Sequence, residues 1–285
     1  MSRATAPDWL DELVLRPGPP FHHMGLRAVD EADWLVADHR RPSELAEKAS
    51  LLDERHDEVF AALPGTEAAG AEALALVRSW LAAHRPDLDT GTAGAGDVHP
   101  LEQAGRLVQE DLCVMDRRSD DVCLVAASLC FPSHWRLAEK IGGSAAAIHA
   151  PVAHYREELA AKVDRYLERV PSDRIALRRN WTIQDHDTLF VPEYPPPQVG
   201  VDATDAGGRL WLRSERQTLR RLPGSGAVLF TIRVQVVPLA VLAERPDVAH
   251  ALAAAVRSNG RPRLDRVPRH LDAACAWLEA VATRS

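Results

Sequence analysis

Three polar blocks in the middle of the chain carry the residue types that could do chemistry. The first, residues 131–152, holds two histidines, His134 and His149, around a turn with two adjacent glycines. Because the residue before a proline is pushed out of helical geometry, Ala150 is predicted to be extended and His149 to lie just before a helix. A histidine there can project into a cavity between sheet and helix. The alternative is that His149 or His134 only hydrogen-bonds a backbone carbonyl.

The second and third blocks lie on predicted strands. Strand alternation over residues 178–183 places Arg179 on one face and Asn180 on the other. In the third block, Glu215 is predicted in mid-strand on the same face as Arg213. An isolated buried charge is costly, so Glu215 is either exposed and paired with an arginine or an inward carboxylate that binds a cation. An amine substrate would be such a cation.

Composition and charge are those of an ordinary globular protein. The 285 residues are 46% hydrophobic and 26% charged, and the formal net charge of −7 argues against a nucleic-acid partner. Several arginines are nevertheless clustered, which favours either a bound anion or a set of surface ion pairs. The clustered residues are Arg178, Arg179, Arg213, Arg216, Arg220 and Arg221.

Several classes of site are disfavoured by missing patterns. The four cysteines form no CxxC pair, so a zinc or iron–sulfur centre has little support, and those in apolar stretches are predicted to be small buried hydrophobes. No GxSxG elbow, P-loop or dinucleotide fingerprint is present, so this chain is not expected to bind its own nicotinamide or flavin through those folds. No signal pattern and no run of ~18 apolar residues occurs, which favours a reducing, cytoplasmic setting without a membrane.

The elements that must position these blocks form an α+β fold. Alternating apolar residues predict about five antiparallel strands, and helical spacing predicts helices packed on and around them. Strands and helices do not alternate regularly, which excludes a doubly wound sheet. The predicted strands are Leu107–Met115, Val122–Cys130, Leu177–Ile183, Leu210–Gln217 and Val228–Val236. The predicted helices are Asp33–Leu63, Thr66–His84, one from Pro151 to Val170, and two in the tail, near Pro238–Ser258 and Val267–Arg284.

Several separated stretches together resemble the haem-dependent oxidative N-demethylase α-subunit family, formerly a domain of unknown function. They read GRLVQEDLCVM, PSHWRLAEKIGGSAAAIHAPV, RRNWTI and ERQTLRRLPGSGAVLFTIRV, with MGLRAVDEADWL and DEVFAALPGTEAA upstream. The likeness covers about residues 20–240, with the stretches in the right order.

The resemblance implies a PAS-like fold with a five-stranded antiparallel sheet and helices that close a haem pocket. It also implies haem b with a histidine axial ligand, and O2-dependent oxidation of a small secondary amine such as dimethylamine to a primary amine and formaldehyde. Electrons would come from partner reductase subunits that carry flavin and an iron–sulfur centre, and a folate-dependent partner would take up the one-carbon product.

The resemblance also suggests roles for individual residues. His149 is the expected axial ligand to the iron, with His134 as the alternative, since imidazole is the commonest proximal ligand to an O2-binding haem. Glu215 is the candidate for holding the alkylammonium. The remaining candidates are Arg136 and Lys140 for the haem propionates, and Arg179, Asn180 and Arg216 for the oxygen site or a propionate.

The chain is expected to consist of four segments, and two functions other than an enzyme remain open. The segments are a loose one over 1–20, an N-terminal helical layer over 21–98, a PAS-like haem-binding domain over 99–240, and C-terminal helices over 241–285. The first alternative to an enzyme is a non-catalytic haem, gas or small-ligand sensor on the same fold, because one fold hosts many functions. The second is a haem-free binding protein.

Overall fold

The computed structural model describes residues 5–16, 25–88, 98–119, 121–148, 160–196, 200–258 and 270–283. Seven strands form one sheet in the order β1-β5-β6-β7-β3-β4-β2, and every neighbouring pair is antiparallel. The strands are β1 (Arg27–Val29), β2 (Phe60–Ala62), β3 (Asp111–Arg118), β4 (Asp121–Ser128), β5 (Ile175–Gln184), β6 (Trp211–Arg221) and β7 (Val228–Pro238). The predicted α+β class and antiparallel sheet are confirmed.

The expected strand number was too low, because the sheet has seven strands and not five. The two missed strands, β1 and β2, are the outermost ones and have three residues each. Three residues are too few for alternation to be visible in the sequence. Both strands come from the part of the chain predicted as a helical layer, so the sheet extends across residue 98; the four predicted segment boundaries stay predictions.

Helices lie on both sides of this sheet. They are α1 (Arg41–Glu54), α2 (His56–Val59), α3 (Glu67–His84), α4 (Pro100–Gly105), α5 (Ala145–Ile148), α6 (Ala160–Glu168), α7 (Ala206–Arg209), α8 (Pro246–Ser258) and α9 (His270–Ala282). The single helix predicted over Asp33–Leu63 was wrong, since that region contains α1, α2 and then β2. The last residues of that predicted helix form β2, and pairing with β4 keeps them extended although their apolar residues have helical spacing. Within the described ranges, no helix has the length and apolar character needed to cross a bilayer.

The sheet has two different faces, which we call the site face and the opposite face. Registry between β5, β6 and β7 places Asn180, Glu215 and Val234 side by side on the site face. It places Arg179, Arg216 and Arg233 together on the opposite face. Side chains alternate across a strand, so the sheet itself separates the two groups.

The opposite face is covered, although β7 presents polar residues on it. Arg233 has no exposed side-chain surface, and its guanidinium lies 2.8 Å from both Asp38 Oδ2 and Glu44 Oε2. Burial alone would raise the pKa of Asp38, but Arg233 and hydrogen bonds from Gln109 and Arg40 outweigh it and hold that pKa below its ordinary value. The N-terminal helices therefore dock on this face through ion pairs as well as apolar contacts.

A buried carboxylate fixes the start of the loop that carries the first polar block. Asp111 opens β3, and its two oxygens accept hydrogen bonds from the backbone N–H groups of Cys130 (2.8 Å) and Phe131 (2.9 Å). Lys48 lies 4.0 Å from the same carboxylate and donates to the carbonyl of Val108 at 2.9 Å. The loop that follows β4 therefore leaves the sheet in a defined direction.

Replacing Arg233 by methionine tests how strongly the ion pairs of the opposite face support the fold. Arg233→Met removes the fully buried cation that pairs with both Glu44 and Asp38 and leaves Glu44 only the partly exposed Arg40, so the free energy of unfolding should fall by about 3–5 kcal/mol. Urea unfolding of the full chain measures this. The exposed pair of Arg257 with Glu279 provides the control, since Arg257→Met should leave the midpoint unchanged. Equal small effects of both substitutions would contradict the assigned role of Arg233.

Candidate functional site

A cavity of about 210 Å³ opens on the site face between β5, β6 and the loop after β4. Its lining combines residues from all three polar blocks of the sequence. The lining residues are Ser133, His134, Trp135, Asn180, Trp181, Thr182, Arg213 and Glu215. A wider groove of about 410 Å³ lies at the β1 edge, and its lining mixes aspartates with arginines and contains none of the predicted site residues. The smaller cavity is therefore the candidate site.

Glu215 supplies the negative charge of this cavity. Its side chain is 20% exposed, and it lies on β6 directly across from Asn180. One carboxylate oxygen, Oε1, lies 3.5 Å from Arg213 Nε, and the other, Oε2, accepts a hydrogen bond from Gln217 Nε2 at 3.1 Å. Each oxygen keeps a free lone-pair direction, so the carboxylate can accept further N–H donors from a bound cation.

Arg213 connects the sheet to the two loops that frame the cavity. Its side chain is 1% exposed. The guanidinium donates to the carbonyl of Phe131 at 2.7 Å and to the carbonyl of Leu189 at 3.2 Å. Because Phe131 and Leu189 belong to the loops after β4 and after β5, one side chain on β6 holds both loops at the site.

His134 forms the wall of the cavity opposite the sheet. Its backbone is in the left-handed region, with φ 61°, and its N–H donates to the carbonyl of Val191 at 2.6 Å. Its ring stacks on Tyr194 with centroids 3.9 Å apart and an interplanar angle of 2°. Burial, together with His186 and the Arg213 guanidinium, lowers the pKa of His134 to about 4. The imidazole is therefore neutral near pH 7, which is the form that binds metals.

His186 and Tyr194 pack against the His134 ring and were not found by sequence reasoning. The His186 ring lies 6.4 Å from that of His134 in an edge-on arrangement. Burial lowers the pKa of His186 despite the nearby Asp185 carboxylate. Both residues lie in the loop after β5, which is held beside the loop after β4 by pairing of Ser133 with Val191. Nothing in the sequence spacing links these positions to residue 134.

Neither of the expected propionate partners lines the cavity. Arg136 is exposed and forms an ion pair with Glu193. Lys140 Nζ donates to the carbonyl of Ile148 at 2.8 Å. His149, the expected axial ligand, lies outside the described residues, which stop at Ile148 in this region. Lys140 therefore holds the backbone immediately before His149.

Two predicted site residues, Arg179 and Arg216, are not brought to the cavity. They lie on the opposite face, where Arg179 Nη2 is 2.8 Å from Glu12 Oε2 and Arg216 Nε is 3.8 Å from the same oxygen. Arg216 also donates to the carbonyls of Trp34 and Asp33. The sheet stands between these guanidinium groups and Glu215, because residues 215 and 216 point to opposite sides. The two arginines instead hold the N-terminal segment against the sheet.

The depressed pKa of His134 predicts a pH dependence of stability. The unfolded chain binds a proton at this ring at an ordinary pKa near 6.5, whereas the folded chain binds it only near pH 4. Unfolding therefore takes up a proton between these values, and stability should fall as pH drops from about 6.5 to about 4. NMR titration of the histidine Cε1–H signals in the haem-free chain measures the pKa directly.

His134→Asn is the appropriate variant, because asparagine tolerates the left-handed backbone at this position. This substitution should make the urea midpoint of unfolding fall less between pH 7 and pH 4.5 than it does in the wild type. A His134 signal that titrates near pH 6.5 would contradict the packing described for this ring.

Comparison with known families gives the chain its classification. A family model described as haem-dependent oxidative N-demethylase, alpha subunit-like, matches residues 25–264. The match includes every strand of the sheet and the whole cavity lining. The chain therefore belongs to this family, and the resemblance seen in the sequence is confirmed.

Proposed function

We propose that this member of the haem-dependent oxidative N-demethylase, alpha subunit-like family is the catalytic subunit that oxidises a small secondary amine. Family membership makes it an alpha-subunit-like oxidoreductase component that depends on haem, and an alpha subunit implies partner subunits. The proposed reaction takes a dimethylamine-like substrate, O2, two electrons and two protons to a primary amine, formaldehyde and water. The electrons come from partner reductase subunits with flavin and an iron–sulfur centre, and a folate-dependent partner takes up the formaldehyde carbon.

The observation that carries this proposal is the partly exposed Glu215 carboxylate in a cavity whose opposite wall is a neutral imidazole. A secondary amine is an ammonium ion near neutral pH, and its N–H groups can donate to Glu215 Oε1 and Oε2. The Asn180 side chain lies across from Glu215 and offers a further donor or acceptor. A gas sensor has no evident need for a carboxylate at this place.

The donor set at the cavity is compatible with haem. Haem iron needs only one or two ligands from the protein, and one neutral imidazole is enough. Within the described residues no cluster of three or more histidine, cysteine, aspartate or glutamate side chains could bind a bare metal ion. The lining instead includes the aromatic residues His134 and Trp135, which suit a flat aromatic cofactor.

Under this proposal His149 is the axial ligand to haem b, with His134 as the alternative. Arg136 and Lys140 hold the propionates by charge-assisted hydrogen bonds. Arg136 is free to do so at low cost, because its exposed pair with Glu193 contributes little to stability. Haem, when bound, supplies the iron at which O2 is activated. The chain's own residues bind and orient the substrate, keep the imidazole neutral and limit access of water.

Formaldehyde release from dimethylamine, with a chemical reductant in place of the partner subunits, tests the proposed function. Glu215→Gln should raise the apparent KM about tenfold to about a hundredfold, as loss of a charged hydrogen bond does, and leave the Soret band in place. Glu139→Gln is the control: it removes one negative charge from an exposed side chain and should leave KM unaltered. A haem-loaded wild type that releases no formaldehyde would identify a sensor, and loss of haem from Glu215→Gln would exclude the proposed role of Glu215.

Absorption spectra of two histidine variants test the axial ligand. His149→Ala should abolish haem binding or shift the Soret band, because the iron loses its imidazole. His134→Asn should retain the wild-type spectrum. The reverse result would assign the iron to His134, and a wild-type chain that shows no Soret band after reconstitution with haem would refute both assignments.

A further inference from the structure

We propose that Arg213 is a positioning residue that aims the Glu215 carboxylate into the cavity and sets the two loops that frame it. This inference rests on the proposed function, because it takes Glu215 to be the group that binds the amine. It adds a residue to which neither the sequence nor the family description gives a role.

The hydrogen bonds of the Arg213 guanidinium reach three different parts of the chain. Nη2 donates to the carbonyl of Phe131, Nη1 donates to the carbonyl of Leu189, and Nε lies 3.5 Å from Glu215 Oε1. A guanidinium is flat and presents its donors in a fixed fork, so the positions of these three acceptors are coupled. A shift of either loop therefore changes the direction in which Glu215 points.

Glu215 has a second neighbour that makes the positioning complete. Gln217 Nε2 donates to Oε2, while Arg213 lies beside Oε1, and all three residues share the site face of β6. Because the carboxylate is contacted on both oxygens, it cannot rotate without losing one contact. Its remaining lone pairs stay directed into the cavity for a ligand.

Geometry and charge can be separated at this position. A lysine retains the positive charge but presents one compact ammonium, which cannot reach three acceptors at once. Arg213→Lys therefore removes the positioning and keeps a cation next to Glu215. Arg233→Lys is the matched control, because Arg233 is an equally buried arginine on the neighbouring strand that points to the opposite face.

A double-mutant cycle in the haem-loaded, full-length chain tests the proposal. Calorimetric titration with dimethylammonium chloride gives Kd for the wild type, Arg213→Lys, Glu215→Gln and the double variant. Arg213→Lys should weaken binding about tenfold in the wild-type background and less than about twofold when Glu215 is already glutamine. Arg233→Lys should lower the urea midpoint and leave Kd within about twofold of the wild type.

Each outcome separates this proposal from the proposed function. If Arg213→Lys weakens binding equally in both backgrounds, Arg213 acts through the fold alone and the inference is overturned while Glu215 keeps its role. If Arg213→Lys leaves Kd unchanged, the inference fails in the same way. If Glu215→Gln leaves Kd unchanged, the proposed function and this inference both fail.

A second measurement needs no substitution at Arg213 and serves if Arg213→Lys does not fold. In the diamagnetic, haem-free chain, dimethylammonium chloride should shift the Nε–H signal of Arg213, because the carboxylate beside it becomes engaged. The same addition should leave that signal unshifted in Glu215→Gln. An unshifted signal in the wild type, or an equal shift in both proteins, overturns the proposal.

Discussion

A buried guanidinium must find acceptors on all sides, and this constraint organises the sheet. Two such groups lie on β6 only three residues apart, and they point to opposite faces. Arg213 takes the carbonyls of Phe131 and Leu189 on the site face, while Arg216 takes the carbonyls of Trp34 and Asp33 on the other. Buried backbone carbonyls in loops need hydrogen-bond donors, and these guanidinium groups provide them. One central strand thereby holds irregular chain on both of its sides.

The same arrangement explains how a carboxylate can be stable in the middle of a sheet. A fully buried, unpaired Glu215 would carry a large desolvation cost. Its partial exposure, the adjacent Arg213 and the hydrogen bond from Gln217 together reduce that cost. The position is therefore a compromise, in which the carboxylate is held firmly enough to have one direction and remains open enough to receive a charged ligand.

Period-two alternation in the sequence was sufficient to predict the five long strands, although β3 begins at Asp111 and not at the predicted Leu107. It correctly placed Arg179 and Asn180 on different faces of the sheet, and Glu215 on the same face as Arg213. That same pattern already implied that Arg179 could not share a site with Asn180. The family resemblance had grouped them because motifs are contiguous in sequence while strand faces are not.

What the sequence could not provide depends on tertiary pairing. The partner of Arg179 is Glu12, far away in the chain, and no local pattern connects the two. The stacking of Tyr194 on His134 depends on a loop whose course is set by hydrogen bonds to Val191. The burial of Arg233 is not visible in the sequence, because arginine is mostly exposed in proteins and the carboxylates of Asp38 and Glu44 that cover it come from a distant part of the chain.

The brevity of the two outermost strands has a consequence for assembly. β1 and β2 have three residues each, so these two strands themselves offer only a few unpaired N–H and C=O groups. A long, flat edge is a template for strand addition and for aggregation between copies, and short edge strands are one of the ways in which proteins avoid both. A companion polypeptide that paired with β1 or β2 would gain few main-chain hydrogen bonds. Association through either of these two strands would therefore depend on side-chain contacts rather than on a continuous intermolecular sheet.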